Sequence, residues 1–488
     1  MKKIANGIFG IYARAESIPL IATLRGAFTF LIPIFLIGAS TLVLQDFPVT
    51  AVREFIQTAA GGSIYSVLSL LYNITFGFAA VYLAFAISFF DTAKTNIHST
   101  IRLAACICSL GCYLAFLGPD VLSGAKTLVG YTKMSNIFPA ILISLLSTRL
   151  FLLFYNFINK RHPAHTAFSR SMQTLVPILI CFIIFGTVAE IITVIYGSAN
   201  FNDLLTEMLS MPFNDIGATF LGGFLITLFE SLLWFFGIHG GNVFDELLTS
   251  PSGVFAFSHG QIVTKPFIDT FVLIGGCGTA ISLFIAIALF SKDRHKKRLC
   301  KTSAIPLIFN INEILIFGLP IVLNPIYLIP FLLTPIISYA VAYAALATGI
   351  IPPIINASVQ WTTPVLISGY KATGSIYGCV LQIVIILIGV AVYTPFVLIE
   401  NRVQKENQKI YLDRLISRCR ECETAGVPYS SDTESLILRS FEDDIVSQLN
   451  SDISRGTIRI NYQPQVSGGK IKGAEALLRF GIGETGYI

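Results

Sequence analysis

The sequence predicts an all-α polytopic membrane protein over about residues 1–400, followed by a small α/β segment that faces water. Two observations carry this. Of the 488 residues 54% are apolar, 39 are Phe and only 12% are charged, against about 25% charged in an ordinary soluble domain. The charges are also unevenly placed: residues 1–400 hold 37 Asp, Glu, Lys and Arg and residues 401–488 hold 24, densities of about 9% and about 27% that mark two solvents. The net charge of +5 lies entirely in the first part. There it orients loops rather than recruiting nucleic acid.

Residues 1–24 mix Lys2, Lys3 and Arg14 with Ile, Phe and Tyr and read as an interfacial helix; no signal peptide is evident. Apolar runs able to cross about 30 Å of hydrocarbon occur near 26–44, 66–90, 101–119, 136–158, 173–197, 218–236, 268–290, 326–348 and 375–399. Basic loops at Lys94/Arg102, Lys160/Arg161/Arg170 and Lys292–Lys301 are expected on the cytoplasmic side, and the acidic loop 198–216 (Asp203, Glu207, Asp215) outside. Five spans from a cytoplasmic start place that loop outside as well.

Parity fails after this point. An odd number of crossings is needed between residues 215 and 292, yet only two full runs are visible. Between them lies 237–266, rich in Gly, Ser and Pro and carrying His239, Asn242, Asp245 and His259. A second polar stretch, 302–324, carries Asn310, Asn312, Glu313, Gly318, Pro320 and Asn324. Polar, broken backbone at membrane depth is tolerated where protein buries it or where it lines a cavity. Both stretches therefore read as re-entrant or discontinuous helices, the usual place of a transporter's binding site.

Of the nine cysteines, Cys106, Cys108 and Cys112 share one apolar run and read as small buried side chains. Cys419 and Cys422 form a lone pair where a structural zinc would need four ligands, so no metal and no cofactor are expected.

Three constellations carry chemistry. Glu230 and His239 lie in the stretch from Glu230 to Asn242. An ionisable group at membrane depth is costly and marks a functional position, although Glu230 also suits a structural acceptor that ties helices together. His239 sits beside glycine, where backbone can approach a ligand closely. In F-N-I-N-E (309–313) Glu313 is flanked by amides inside an apolar run, and its carboxylate can accept a hydrogen bond from a sugar hydroxyl. In W-T-T-P (361–364) Trp361 offers a face on which a pyranose ring can stack, or an interfacial anchor.

At these residues the chain closely resembles the membrane subunit, enzyme IIC, of the lactose/cellobiose/diacetylchitobiose branch of the bacterial sugar phosphotransferase system. The resemblance covers about residues 5–400. It rests on W-F-F-G-I-H-G (234–240), K-P-F-I-D-T-F (265–271), G-G-C-G-T-A (275–280), F-N-I-N-E, F-G-L-P-I-V-L-N-P (317–325), W-T-T-P and Y-T-P-F (393–396). It implies about ten transmembrane helices with two re-entrant hairpins, a homodimer in the bacterial inner membrane, and both termini in the cytoplasm. It also implies that a β-linked disaccharide is carried inward and phosphorylated by a phosphocysteine on a separate IIB protein, itself supplied by IIA. His239 and Glu313 match the family's catalytic positions; Asn242, Asn312, Trp361 and Glu230 are the expected substrate contacts. Where the family usually has Pro after this Glu, Ile314 stands here.

Residues 401–432 read as an amphipathic juxtamembrane helix and linker, 432–450 as a further helix, 457–466 as a strand, Gly468-Gly469 as a turn and 473–480 as a second strand. Y-Q-P-Q-V (462–466) followed by G-A-E-A-L-L-R (473–479) resembles the start of an EAL domain, the cyclic-di-GMP phosphodiesterase family, over about residues 433–488. That resemblance implies Glu475 as a metal ligand in a completed domain and Gln463 and Arg479 as dinucleotide contacts; Phe480 replaces the usual Trp. A (β/α)₈ barrel takes about 250 residues. The segment up to Ile488 is therefore expected to be an incomplete barrel-type fragment without phosphodiesterase activity. The alternative functional reading is a membrane-tethered sugar sensor with an EAL-type output, and a third is an ion-coupled transporter without phosphorylation.

Overall fold

The computed structural model describes residues 18–45, 47, 49–95, 97–118, 128–133, 136–161, 166–196, 208, 211–213, 215–236, 240–249, 253–258, 260–319, 321–322, 324–356, 359–426, 445–446, 449–450, 452–454, 456, 458–467 and 470–479. It divides into two units, Met1–Val397 and Leu398–Ile488.

Among the described residues, seven helices are long and apolar enough to cross a membrane: Pro19–Gln45, Ser63–Thr92, Ser99–Phe116, Ile137–Lys160, Ala167–Ile195, Pro325–Ala347 and Ile376–Glu406. Their starts follow ordinary capping chemistry. The His98 ring accepts from the Thr100 N–H, and Asn324 accepts from the Ile326 N–H with Pro325 in the first turn, where its missing N–H costs nothing. The helix Ser63–Thr92 is broken once by a 3₁₀ turn at Phe76–Phe78.

Two of the nine expected spans differ. Phe220–Phe235 has 16 residues and Ala280–Phe290 has 11. At 1.5 Å per residue these reach about 24 Å and about 17 Å, short of the hydrocarbon thickness. The run 268–290 is not one helix. A single π-type turn, Ile268–Val272, is followed by a loop in which Gly275, Gly276, Gly278 and Thr279 have φ of +76°, +91°, +72° and +52°. Left-handed residues cannot continue a right-handed helix.

The polar stretches are likewise discontinuous. Within 237–266 the described backbone holds only the short helices Gly240–Val243, Asp245–Thr249 and Lys265–Phe267. The basic run lies in a helix, Arg294–Ile308. A left-handed Asn310 (φ +63°) separates it from the six-residue helix Glu313–Gly318.

Three apolar cores hold this unit. One packs Pro19–Gln45 against Ala280–Phe290 and Glu313–Gly318; in it Phe28 stacks on Phe317 with ring centres 4.3 Å apart. Another joins Ser99–Phe116, Ile137–Arg161 and Ala167–Tyr196 around Cys108, Cys112 and Cys181. The remaining core gathers the short elements between 213 and 274 against Pro325–Ala347.

The charged segment after residue 400 continues the preceding apolar run in one 50-residue helix, Ile376–Ala425. In the second unit β1 (Arg459–Ser467) pairs antiparallel with β2 (Lys470–Arg479), and Gln463 stands directly opposite Glu475. Most of the expected helix 432–450 and the Gly468-Gly469 turn lie outside the described residues.

Candidate functional site

The sequence-predicted residues fall on the interrupted elements. Glu230 lies near the end of Phe220–Phe235 and is buried. Gly240 packs directly on it: a Cβ added there would sit 2.7 Å from Glu230 Cγ, so only glycine admits this approach. His239, which precedes Gly240, lies outside the described residues. Asn242 falls in the short helix Gly240–Val243, and its side chain is not among those described.

Asn312 and Glu313 are buried at the start of Glu313–Gly318. The Asn312 amide donates to the Cys277 carbonyl at 3.2 Å, tying this helix start to the Gly275–Thr279 loop. Gly276 allows the contact, since a Cβ there would meet the Asn312 side chain at 2.6 Å. From the other side of the loop, the Tyr393 hydroxyl donates to the Gly278 carbonyl at 2.6 Å. Trp361 lies in the loop before Ile367–Thr373, half-exposed, while the adjacent Thr362, Thr363 and Pro364 are buried.

One oxygen of Glu230, one oxygen of Glu313 and the Ser231 hydroxyl are buried with no hydrogen-bond partner among the described residues. A buried polar atom without a partner is unusual and costly. The unpartnered oxygens of the two carboxylates lie on segments that the sequence singled out, and each can receive a hydroxyl donor. Charge is partly balanced nearby. Lys265 and Asp269 pair one helical turn apart at 2.5 Å, and both act electrostatically on Glu230; Glu230 in turn acts on Cys277. Among the described residues, no three His, Cys, Asp or Glu side chains are arranged to hold a metal.

Sequence reasoning placed Asn310 in a polar stretch without giving it a role of its own, and did not single out Gln382. Asn310 bonds to three separate backbone groups through its side chain. The fully buried Gln382 donates to the Thr270 carbonyl at 2.8 Å and accepts from the Leu366 N–H at 2.8 Å. A polar amide inside an apolar run was the available signal in both cases.

Long apolar helices together with polar, interrupted segments are the pattern of a polytopic membrane transporter. The sequence profile described as "Phosphotransferase system, EIIC" matches residues 25–335, and the chain belongs to that family. It is 25% identical over 425 residues to an oligo-beta-mannoside-specific EIIC component of Bacillus subtilis, covering 84% of this chain and 96% of the relative. It is 28% identical over 400 residues to a cellobiose-specific EIIC component of Geobacillus stearothermophilus, covering 76% and 88%. Among solved structures, the ChbC transporter, the IIC component of an N,N'-diacetylchitobiose-specific phosphotransferase system, aligns with 25% identity. That alignment covers 82% of this chain and 98% of ChbC, with a TM-score of 0.43.

Proposed function

We propose that this EIIC protein is the permease of a phosphoenolpyruvate-dependent phosphotransferase system for a β-linked disaccharide of the cellobiose type. The observation that carries the reading is the two buried carboxylates Glu230 and Glu313, each with one oxygen that has no partner among the described residues; the half-exposed Trp361 is tied through its carbonyl to Asn310, three residues before Glu313. A sugar offers what that set lacks: several hydroxyl donors and an apolar ring face for stacking on an indole. Relatives named for an oligo-β-mannoside and for cellobiose support a β-linked substrate.

In this reading Trp361, Asn242, Asn312 and Glu230 hold the sugar, and His239 and Glu313 bind its primary hydroxyl. The hydroxyl oxygen attacks the phosphorus of a phosphocysteine on the separate IIB protein. The S–P bond breaks, the cysteine thiolate leaves, and the hydroxyl proton passes to the Glu313 carboxylate. A carboxylate in hydrogen-bond reach contributes about 10²–10⁴-fold in such a transfer.

The finer architecture belongs to the same proposal: about ten spans with two re-entrant hairpins, a homodimer, and both termini cytoplasmic, the last supported by the basic loops. Residues 1–400 act as the IIC domain, 401–432 as a juxtamembrane helix and linker, and 433–488 as an EAL-like segment. The likeness to EAL domains gains support from register, because Gln463 and Glu475, two of its motif residues, oppose each other across the hairpin.

Uptake of labelled cellobiose and other β-linked disaccharides into vesicles tests the function. The expected result is accumulation of sugar phosphate that requires phosphorylated IIB. Full uptake without IIB, driven by an ion gradient, would refute it.

A further inference from the structure

We infer that Asn310 is a positioning residue that sets Trp361 and the Gly275–Thr279 loop in fixed register around the bound sugar, an inference that rests on the sugar-site reading above. Its side-chain amide is used at both ends. Nδ2 donates to the Trp361 carbonyl at 2.6 Å and to the Thr363 carbonyl at 3.1 Å, and Oδ1 accepts from the Gly275 N–H at 2.8 Å. The partners lie 51, 53 and 35 residues away in sequence, so one side chain joins three chain segments.

These bonds stand where regular structure is absent. Trp361, Thr363 and Gly275 belong to loops between helices, whose backbone groups have no ladder partner and must be satisfied otherwise. Asn310 is itself buried and left-handed, with φ +63°, a conformation Asn adopts more readily than most residues. Two residues on, Asn312 holds the same glycine loop through the Cys277 carbonyl, and Glu313 follows it directly. The backbone at Trp361 is thereby anchored while 45% of the residue stays exposed. The anchored backbone fixes where the indole starts, and Asn310, which anchors it, lies three positions before Glu313. Removing the Asn310 amide leaves the indole and both carboxylates intact but releases their relative placement, and a misplacement of about 1 Å can cost about 100-fold.

Asn310→Gly removes the amide and keeps the left-handed backbone. It is compared with wild type and Trp361→Ala for binding and IIB-dependent phosphorylation of whichever β-linked disaccharide the wild type binds most tightly. Trp361 emission is read in a Trp234→Phe background, since the chain has two tryptophans. Asn310→Gly is expected to raise the sugar KM about 10- to 100-fold, more than it lowers kcat, and to abolish the sugar-induced change in Trp361 emission. The Asn310→Gly/Trp361→Ala double variant is expected to lose clearly less than the sum of the two single losses, because the part of Asn310's effect that acts through Trp361 is already gone and only its hold on the Gly275 loop remains.

Additive losses with the emission change retained would overturn the inference and leave the sugar site standing. Wild-type affinity in Trp361→Ala would overturn the site reading and the inference with it. If Asn310→Gly does not fold, Asn310→Ser and amide exchange in the unaltered protein decide. Sugar is expected to slow exchange at Gly275 and at 361–366 together, and protection of one segment alone would contradict the inference.

Discussion

The helices before residue 200 and the segments after 220 draw on the same apolar residues, and both hold hydroxyls that bond back within their own helix. Yet among the described residues only the second region uses buried amides to tie together broken backbone that is distant in sequence. In the first region Thr41, Thr75 and Thr92 each donate to the carbonyl one turn back in their own helix, at 2.6–2.7 Å. Such a residue is satisfied wherever its helix sits, and the helix is free to be long. In the second region Thr227, Thr334 and Ser338 bond back in the same way, but further bonds reach the broken backbone from far along the chain: Asn312 to Cys277, Asn310 to Trp361, Gln382 to Thr270, Tyr393 to Gly278. There the backbone is broken, loops supply the unpaired groups, and the side chains fix tertiary placement. The first region has cross-helix contacts as well: the Ser109 hydroxyl donates to the Ala84 carbonyl and the Thr148 hydroxyl to Ser88, and in an ion pair the Arg149 guanidinium donates to both oxygens of Asp91 at 2.9 and 3.2 Å. The comparison teaches that the same composition makes scaffold where helices close on themselves and makes a site where they do not.

Five substitutions sharpen or break this contrast. The largest effect is expected for Glu313→Gln, which keeps an acceptor but removes the base. Phosphorylation by IIB should fall by about 100-fold or more while sugar affinity changes by less than about tenfold; equal losses in both would make Glu313 a binding residue only. Next is a pair of glycines. Gly276→Ala places a Cβ at φ +91° and 2.6 Å from Asn312, and is expected to destabilise by about 3 kcal/mol. Gly61→Ala, at φ +64° with open space around it, should cost about 1 kcal/mol. Thermal unfolding in detergent measures both, and equal shifts would mean that the loop contact adds nothing.

Asp91→Asn breaks the ion pair of the first region. Arg149 is largely solvent- or lipid-exposed, with 61% of its side chain accessible, so screening limits the expected loss to about 1 kcal/mol. Sugar phosphorylation should stay within about twofold, and a larger fall would extend the site into this region. The smallest effect is expected for Thr41→Val. Its hydroxyl serves only its own helix, and stability should change by about 0.5 kcal/mol or less. A shift as large as that of Gly276→Ala would erase the distinction between the two regions.

The long helices were legible because a continuous apolar run of about 20 residues has few alternatives in a bilayer. The break between 268 and 290 was not, although G-G-C-G was visible. Glycine is common inside membrane helices, and sequence alone does not say which glycines turn left-handed. Here the asparagine side chains that meet the loop from Asn310 and Asn312 supply contacts that the broken ladder lacks, and they lie 35 residues away. Glu313, Asn312 and Trp361 were readable as polar or aromatic exceptions in apolar surroundings. Asn310 was readable as polar in the same way, but its role was not, because its partners lie far away in sequence. In the tail, strand alternation located both strands, whereas the antiparallel register that opposes Gln463 to Glu475 depends on pairing.

The most direct measurement of the central claim, that the sugar binds at the interrupted segments and not among the long helices, is photo-crosslinking in membranes. A diazirine-bearing cellobiose is irradiated on the protein and the adducts are mapped by peptide mass spectrometry, with and without excess cellobiose. Adducts are expected within 230–242, 309–313 and 361–364, and unlabelled sugar should suppress them. Suppressible adducts confined to residues 19–196 would contradict the account.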